Sequence, residues 1–292
     1  MEANRTYLFC PGNHPRKLEK VFQVGGDAVI LDLEDAVAIA EKPATRALVV
    51  AALKRPRRCR GYVRVNAYDT EFCYGDIIEI VGPWLDGIVL PKLENVEDIR
   101  SVDWLLKNLE RERGMDIGSI DVMPIIETAK GQDAVRQIAQ ANTRVRRLSF
   151  GAGDYTKDLG MEWSLGEMEL ASMRAEMVMA SRLGELEPPV DTVFIHIREQ
   201  DAFRASCDLV RDLGFQGKMC IHPDQVAFAN AAFTPTEEQL AFARKVIEAF
   251  SEAESKGSAS IQIDGYFVDY PIVDKAKRII ELGEAIAQAE AV

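Results

Sequence analysis

Short apolar runs alternate with longer amphipathic stretches from one end of the chain to the other. The runs that predict strands are Thr6–Cys10, Ala28–Leu33, Tyr62–Asn66, Gly87–Pro91, Asp121–Ile126, Arg147–Gly151, Thr192–Ile197 and Lys218–Ile221. Most of them (AVILDL, GIVLP, VMPII, TVFIHI) are continuously apolar, as strands covered on both faces of a parallel sheet must be. Between them the apolar positions recur every three to four residues. Val96–Arg113 lines up Ile99, Val102, Leu105, Leu106 and Leu109 on one stripe, with Gly114 as its stop; Ser164–Leu183, rich in Met and Ala, ends at Gly184.

Eight strands, seven of them followed by clear helices, predict a closed TIM (β/α)8 barrel of the α/β class over residues 1–230. An open doubly wound sheet is the competitor. No GxGxxG stands at a first strand-to-helix turn, which disfavours its dinucleotide-binding form. Residues 231–292 exceed what a barrel needs. A helical tract, Thr236–Lys256, leads through a Gly/Ser-rich break into an alternating run around Asp264-Gly265, a strong hairpin signal. A last helix, Ile272–Gln288, follows. This C-terminal helical extension with its hairpin is expected to act as a lid or a subunit contact.

Charge narrows the partners. The formal net charge of −12 repels nucleic acid and anionic membrane, so neither is expected. No apolar run approaches the roughly 18 residues of a membrane span, and the start of the chain lacks the pattern of a signal peptide. The five cysteines are odd in number and form no CxxC pair, which predicts reduced thiols and a cytoplasmic location.

In barrels the chemistry gathers at the C-terminal ends of the strands. Here those ends carry Asp32, Glu34 and Asp35 on the second strand, Arg64 and Asn66 on the third, Lys92 after the fourth, Glu127 after the fifth, Gly151-Ala152-Gly153-Asp154 after the sixth and His222-Pro223 after the eighth. Glu127 and Asp154, from neighbouring strands, can share one hard cation, and Mg2+ commonly takes one or two protein carboxylates. The alternative is that both cap the following helices, a role Thr128 can fill after the fifth strand. Arg64 lies opposite its Val neighbours within a strand and needs a counter-ion, either a substrate carboxylate or a pair with Glu34 or Asp35. Lys92 can form a Schiff base or pair with the acidic cluster; two candidate metal ligands nearby favour the electrostatic role. His222 is a weak signal by itself. His196 reads as core and His14 as surface. Arg5, Lys17 and their basic neighbours flank the Pro11-Gly12 turn, which suits a phosphate-bearing ligand or a solvated helix face.

The segments RTYLFCPGNHPRKLEK, DAVILDLEDAVAIAEKPATR, GYVRVNA, GIVLPKLE, VMPIIETAKG, LSFGAGDYTKDLG, GKMCIHPDQV and IDGYFVDYPIVDKAKRII span nearly the whole chain. In that order the sequence resembles the citrate lyase beta-subunit-like group of the HpcH/HpaI aldolase superfamily, which includes malyl-CoA and citramalyl-CoA lyases. The resemblance implies a magnesium-dependent carbon–carbon lyase that cleaves a 2-hydroxyacyl-CoA into a 2-oxoacid and an acyl-CoA, with Mn2+ an acceptable substitute. It implies Glu127 and Asp154 as metal ligands, and Arg64, Glu127 and the Gly151-Ala152-Gly153 turn as substrate contacts. Glu34, Asp35 and Lys92 become catalytic neighbours of the metal. Arg5, Pro11, Gly12, Lys17 and His222 become the coenzyme A surface. Asp269 becomes an acid/base supplied by a neighbouring subunit of a homotrimer or hexamer. The alternatives are a citrate lyase beta subunit working with an acyl-carrier protein, a malyl-CoA thioesterase, and a non-catalytic barrel that binds CoA or an oxoacid. Cys10, Gly153 and Tyr155 depart from the residues common in the family, and each touches the expected substrate pocket.

Overall fold

The computed structural model describes residues 3–291. Its chain divides into two compact units: Asn4–Ala231, and residues 232–291 together with Ala3.

In the first unit β1 (Thr6–Pro11), α1 (Pro15–Lys20), β2 (Ala28–Asp32), α2 (Lys42–Leu53), β3 (Arg60–Arg64), α3 (Cys73–Ile80), β4 (Gly87–Leu90), α4 (Val96–Glu112), β5 (Asp121–Ile126) and α5 (Ala129–Ala139) alternate strictly. The chain continues through β6 (Ser149–Phe150), two successive helices, α6 (Ala152–Leu159) and α7 (Ala171–Leu183), then β7 (Val190–Asp191), α8 (Gln200–Leu213), β8 (Gly217–Cys220) and α9 (Pro223–Phe233). The eight strands close into a parallel barrel in sequence order, with β1 pairing both β2 and β8.

Alternation along each strand sends every second side chain inward. The barrel interior is thus filled by Tyr7, Ile30, Tyr62, Val89, Met123 and Met219, among others. At the base, where the strands begin, this apolar core is closed by a buried polar web. Tyr62 donates to Asp121 at 2.7 Å, Arg147 donates to Asp121 at 2.5 Å and to Glu187 at 2.8 Å, and Tyr7 donates to Asn4 at 2.7 Å. Gly217 is required here by close approach, because a Cβ on it would stand 1.9 Å from the Asn4 carbonyl oxygen.

Two expected elements differ. The seventh strand is Val190–Asp191, not Thr192–Ile197; the apolar run beyond it is a loop in which Phe194 is buried while Ile195 and Ile197 are exposed. The expected helix Ser164–Leu183 begins only at Ala171, after a 3-10 turn over Met168–Leu170 and a left-handed Glu167 (φ 51°). His196 therefore lies in a loop rather than a core strand, half-buried against Phe194.

In the second unit α10 (Glu237–Ser255) opens with a capping box between Thr236 and Gln239. The hairpin β9 (Ile261–Ile263) and β10 (Tyr266–Val268) turns at Asp264 and Gly265, both with positive φ, and α11 (Tyr270–Ala291) follows. Phe250, Ile263, Val268 and Val273 form its own small core. Among the described residues no helix is long and apolar enough to cross a membrane, and all five cysteines are free thiols.

Candidate active site

The polar layer at the mouth follows from strand register. Asp32 and Arg64 end adjacent parallel strands and are direct register partners, so both point inward. Asp32 grips the guanidinium with both oxygens: Arg64 Nε donates to Oδ1 at 2.8 Å and Nη2 to Oδ2 at 2.7 Å. Asp32 is held in turn by the Glu34 N–H at 2.9 Å and the Ala36 N–H at 3.1 Å. Burial pushes the Asp32 carboxyl up, but Arg64 and these N–H donors outweigh it and hold the group below the usual range. The remaining edge of Arg64 meets Glu34 at 3.0 Å and Asp35 at 3.4 Å, and its face lies 4.9 Å from the Phe9 ring. Arg64 therefore does pair with Glu34 and Asp35, but its strongest partner is Asp32, which the sequence reading left without a role.

Lys92 links the other carboxylates. In a left-handed conformation (φ 51°) after β4, it donates its backbone N–H to Glu127 Oε1 at 2.9 Å. Its ammonium meets Glu34 at 2.5 Å and Asp154 at 3.1 Å. Burial would lower its pKa, yet the hydrogen bond to Glu34 raises it, so the amine stays protonated. A Schiff-base nucleophile needs the free amine. The geometry is that of an electrostatic bridge.

Glu127 is buried beneath the mouth. Burial, then the nearby Glu34 charge, push its carboxyl up to about 8, and burial also raises Glu34. No described donor reaches Glu127 Oε2, which lies where a Cβ on Gly151 would come within 2.3 Å. Gly151 thus clears the space that this oxygen occupies. Asp154 stands in the first turn of α6, whose Ala152 N–H donates to Thr192 Oγ1 at 2.8 Å. Thr128 caps α5 by accepting from the Gly131 N–H, which leaves Glu127 free of capping duty.

These groups border a cavity of about 450 Å3 at the mouth. Arg64, Glu127, Asp154 and the Gly151–Gly153 turn form its charged wall, and Pro11 and Lys17 stand on its rim. The mouth cluster holds five carboxylates (Asp32, Glu34, Asp35, Glu127, Asp154) against three cations (Arg64, Lys92, Lys17). A divalent cation would balance the excess, and the oxygen-only donor set at Glu127 and Asp154 suits Mg2+ rather than zinc. Among the described residues no three His, Cys, Asp or Glu side chains gather into a closed metal cage, so such an ion would keep open positions for other ligands.

Two expected contacts, Arg5 and Gly12, are corrected. Arg5 precedes β1 and lies at the base of the barrel, buried and paired with Asp27 through Nε at 3.0 Å and Nη2 at 2.8 Å. It cannot share a ligand surface with Lys17 at the mouth. Gly12 is packed against β2, its N–H donating to the Asp32 carbonyl at 2.9 Å, and a Cβ there would come within 2.6 Å of that oxygen. Gly12 shapes the turn rather than offering an open contact. His222 follows β8 on the mouth side, partly exposed, with Nδ1 accepting from the Asp224 N–H at 3.3 Å. Asp269 lies in the second unit, half-buried, directly before α11. Besides Asp32, the sequence reading missed Lys42, whose ammonium bridges the Leu33 and Glu34 carbonyls and Asn66 and so fixes the loop that carries Glu34. The signal for Asp32 was its place two residues before Glu34 in an otherwise apolar strand.

The sequence and fold have named relatives. The family model for HpcH/HpaI aldolase/citrate lyase matches residues 5–223. The citrate lyase subunit beta of Haemophilus influenzae is 34% identical over 283 residues, covering 96% of this chain and 97% of its own length. The L-malyl-CoA/beta-methylmalyl-CoA lyase of Cereibacter sphaeroides is 33% identical over 306 residues, covering 97% and 96%. The crystal structure of protein CitE from Mycobacterium tuberculosis, in complex with magnesium, acetoacetate and coenzyme A, superposes with a TM-score of 0.77 at 27% identity, covering 97% of this chain and 98% of that one. The chain belongs to the HpcH/HpaI aldolase/citrate lyase family.

Proposed function

We propose that this protein is a magnesium-dependent carbon–carbon lyase that cleaves a 2-hydroxyacyl-CoA into a 2-oxoacid and an acyl-CoA. The observation that carries the reading is the convergence of Glu127 and Asp154, bridged by Lys92, on the same charged wall of the mouth cavity as Arg64. Support comes from the lyase relatives and from a fold neighbour crystallised with magnesium and coenzyme A.

Cleavage between C2 and C3 sends the bonding pair to the thioester α-carbon and removes the proton of the C2 hydroxyl. The difficulty is negative charge on two oxygens. Mg2+ held by Glu127 and Asp154 would supply Lewis acidity toward the hydroxyl and carboxylate of the hydroxyacid half. Arg64, already fixed by Asp32, adds a rigid positive field beside that carboxylate. Lys92, kept protonated by Glu34, adds a second. Glu34 and Asp35, placed beside them by their pairing with Arg64 and Lys92, would orient water around that ion. Lys17, exposed at the rim, faces the phosphates of CoA, with Pro11, Gly12 and His222 shaping that approach. To Asp269, in the FVDYP segment, we assign the proton transfer at the α-carbon, supplied by another copy of the chain in a homotrimer or hexamer.

The citrate lyase beta-subunit relatives favour a second reading, in which the thioester is carried on an acyl-carrier protein rather than CoA. A panel of malyl-, citramalyl-, methylmalyl- and citryl-CoA, assayed for oxoacid and free thiol with and without Mg2+, tests the first reading. Cleavage that EDTA abolishes and that Glu127→Ala and Asp154→Ala each lack is the expected result. Full-rate cleavage after EDTA treatment rejects the metal assignment, and thiol release without oxoacid indicates a thioesterase.

A further inference from the structure

Residues 33–41 run from β2 to α2. This segment carries Glu34, and its Asp35 and Ala36 line the mouth cavity. The Glu34 carboxylate meets Arg64 at 3.0 Å and Lys92 at 2.5 Å, so it joins the cation of β3 to the cation after β4. We propose that Lys42 is a positioning residue for this site: it ties the neck of the segment to Asn66 and thereby sets Glu34 between the two cations. The inference rests on the lyase reading above and deepens it.

Local preferences argue against a lysine at this position. Lys42 is the first residue of α2, where the helix dipole repels a cation, and Glu41 before it makes no side-chain cap. Lys42 is also buried, at 7% exposure, where an ammonium gives up its water. Conflicts of this kind between local preference and observed residue gather at functional sites. The compensation is visible in its contacts. Nζ donates to the Leu33 carbonyl at 3.0 Å, the Glu34 carbonyl at 2.7 Å and Asn66 Oδ1 at 2.6 Å. These three bonds use all three ammonium protons, and every acceptor is a neutral oxygen. Two of the acceptors are the first two carbonyls of the segment, while Lys42 itself follows its last residue. One side chain thus closes both ends of the segment on one point.

Asn66 makes that point a fixed one. Its N–H and Nδ2 donate to Asp76 Oδ2 at 2.9 and 2.7 Å, and Nδ2 also reaches the Leu33 carbonyl at 3.1 Å. Asp76, fully buried on α3, is gripped in turn by Arg46 Nε of α2 at 2.7 Å. Neither Asn66 nor Asp76 lines the cavity, and Glu127 and Asp154 stand on other elements. Without the Lys42 ammonium, the Leu33 carbonyl keeps only Asn66 Nδ2, and the Glu34 carbonyl only the Val37 N–H at 3.2 Å. Glu34 is then free to leave one of its two cations. A shift of about 1 Å in such a group costs on the order of 100-fold in rate.

Lys42→Met keeps the apolar stem and removes the donors. On the full chain, calorimetry gives the Mg2+ Kd, the thioester panel above gives kcat and KM, and mass spectrometry follows amide hydrogen exchange in residues 33–41. The expected kcat is about 10- to 100-fold below wild type, with KM and the Mg2+ Kd within about threefold. Exchange in the segment should be at least about tenfold faster. Asp103→Asn, which weakens the 2.6 Å pair with Arg144 on α4, controls for lost stability and should leave kcat as it is. A folded Lys42→Met with unchanged kcat overturns the inference. So does an equal loss of kcat in Asp103→Asn, or a rise of KM and Kd in step with the fall in kcat. If the wild type cleaves no thioester, the lyase reading fails, and exchange alone decides the role of Lys42: faster exchange upholds it and unchanged exchange rejects it. If Lys42→Met does not fold, Lys42→Gln, with a stem one atom shorter, is judged by the same criteria.

Discussion

Replacing Asp32 by Asn isolates the ion pair on which the charged wall rests. Each Asp32 oxygen accepts from two donors: Oδ1 from Arg64 Nε and the Glu34 N–H, Oδ2 from Arg64 Nη2 and the Ala36 N–H. Whichever way an asparagine amide is turned, its NH2 group faces two donors and can satisfy neither. The pair is nearly buried, with side-chain exposures of 12% for Arg64 and 3% for Asp32, so solvent screens little of the loss. Removing one partner of such a pair costs about 3–5 kcal/mol, and the contact Arg64 keeps with Glu34 at 3.0 Å points to the lower end, about 3 kcal/mol. For a folding unit the size of Asn4–Ala231, that lowers Tm by roughly 6–12 °C. Thermal unfolding followed by circular dichroism measures it. A shape-matched apolar pair, Asp32→Leu with Arg64→Met, should recover part of the lost stability while abolishing turnover, because it leaves no buried guanidinium without its counter-ion, although the Glu34 and Ala36 N–H groups lose their acceptor. A shift below 2 °C for Asp32→Asn, or a double variant no more stable than the single, refutes the reasoning.

Gly151→Ala puts a methyl group 2.3 Å from Glu127 Oε2 and 2.8 Å from Ile125, so the carboxylate must swing away; Mg2+ affinity measured by calorimetry should fall at least about tenfold, and an unchanged Kd counts against Glu127 as a ligand. Asp191, fully buried between Lys218 and Arg174, is pushed up by burial but held below its usual value by those two cations, so its contribution to stability is whole above about pH 4 and shrinks as pH falls through its depressed folded value. The difference in urea midpoint between the wild type and Asp191→Asn should therefore narrow between pH 7 and pH 3, and a constant gap contradicts the assignment.

The mouth was legible because parallel barrels impose a simple rule: a polar residue directly after a buried apolar strand has nowhere to go but the rim. Glu34, Arg64, Lys92, Glu127 and Asp154 were readable on that basis alone, each following an apolar run. Pairings were less legible. Asp32 and Arg64 meet because β2 and β3 are in register, and register is a property of two strands that neither strand states. Arg5 misled for the converse reason. It is close to Lys17 in sequence, but the six residues of β1 lie between them, about 20 Å of extended chain that carries the two to opposite ends of the barrel. The seventh strand was displaced because its observed residues are only Val190 and Asp191, right after Pro188-Pro189, while the longer apolar run that follows packs one side chain inward from a loop.

The web of shared charges at the mouth has an evolutionary consequence. Glu34 touches both Arg64 and Lys92, Lys92 touches Glu34, Glu127 and Asp154, and Asp32 steadies the whole through Arg64. A lineage that altered any one of them would disturb its neighbours at once, so the reaction type is hard to drift away from. Phe9, Ile125, Val193 and Met219, which line the same cavity, take no part in these ion pairs. New substrates are therefore reached by repainting that lining while the charged web stays as it was.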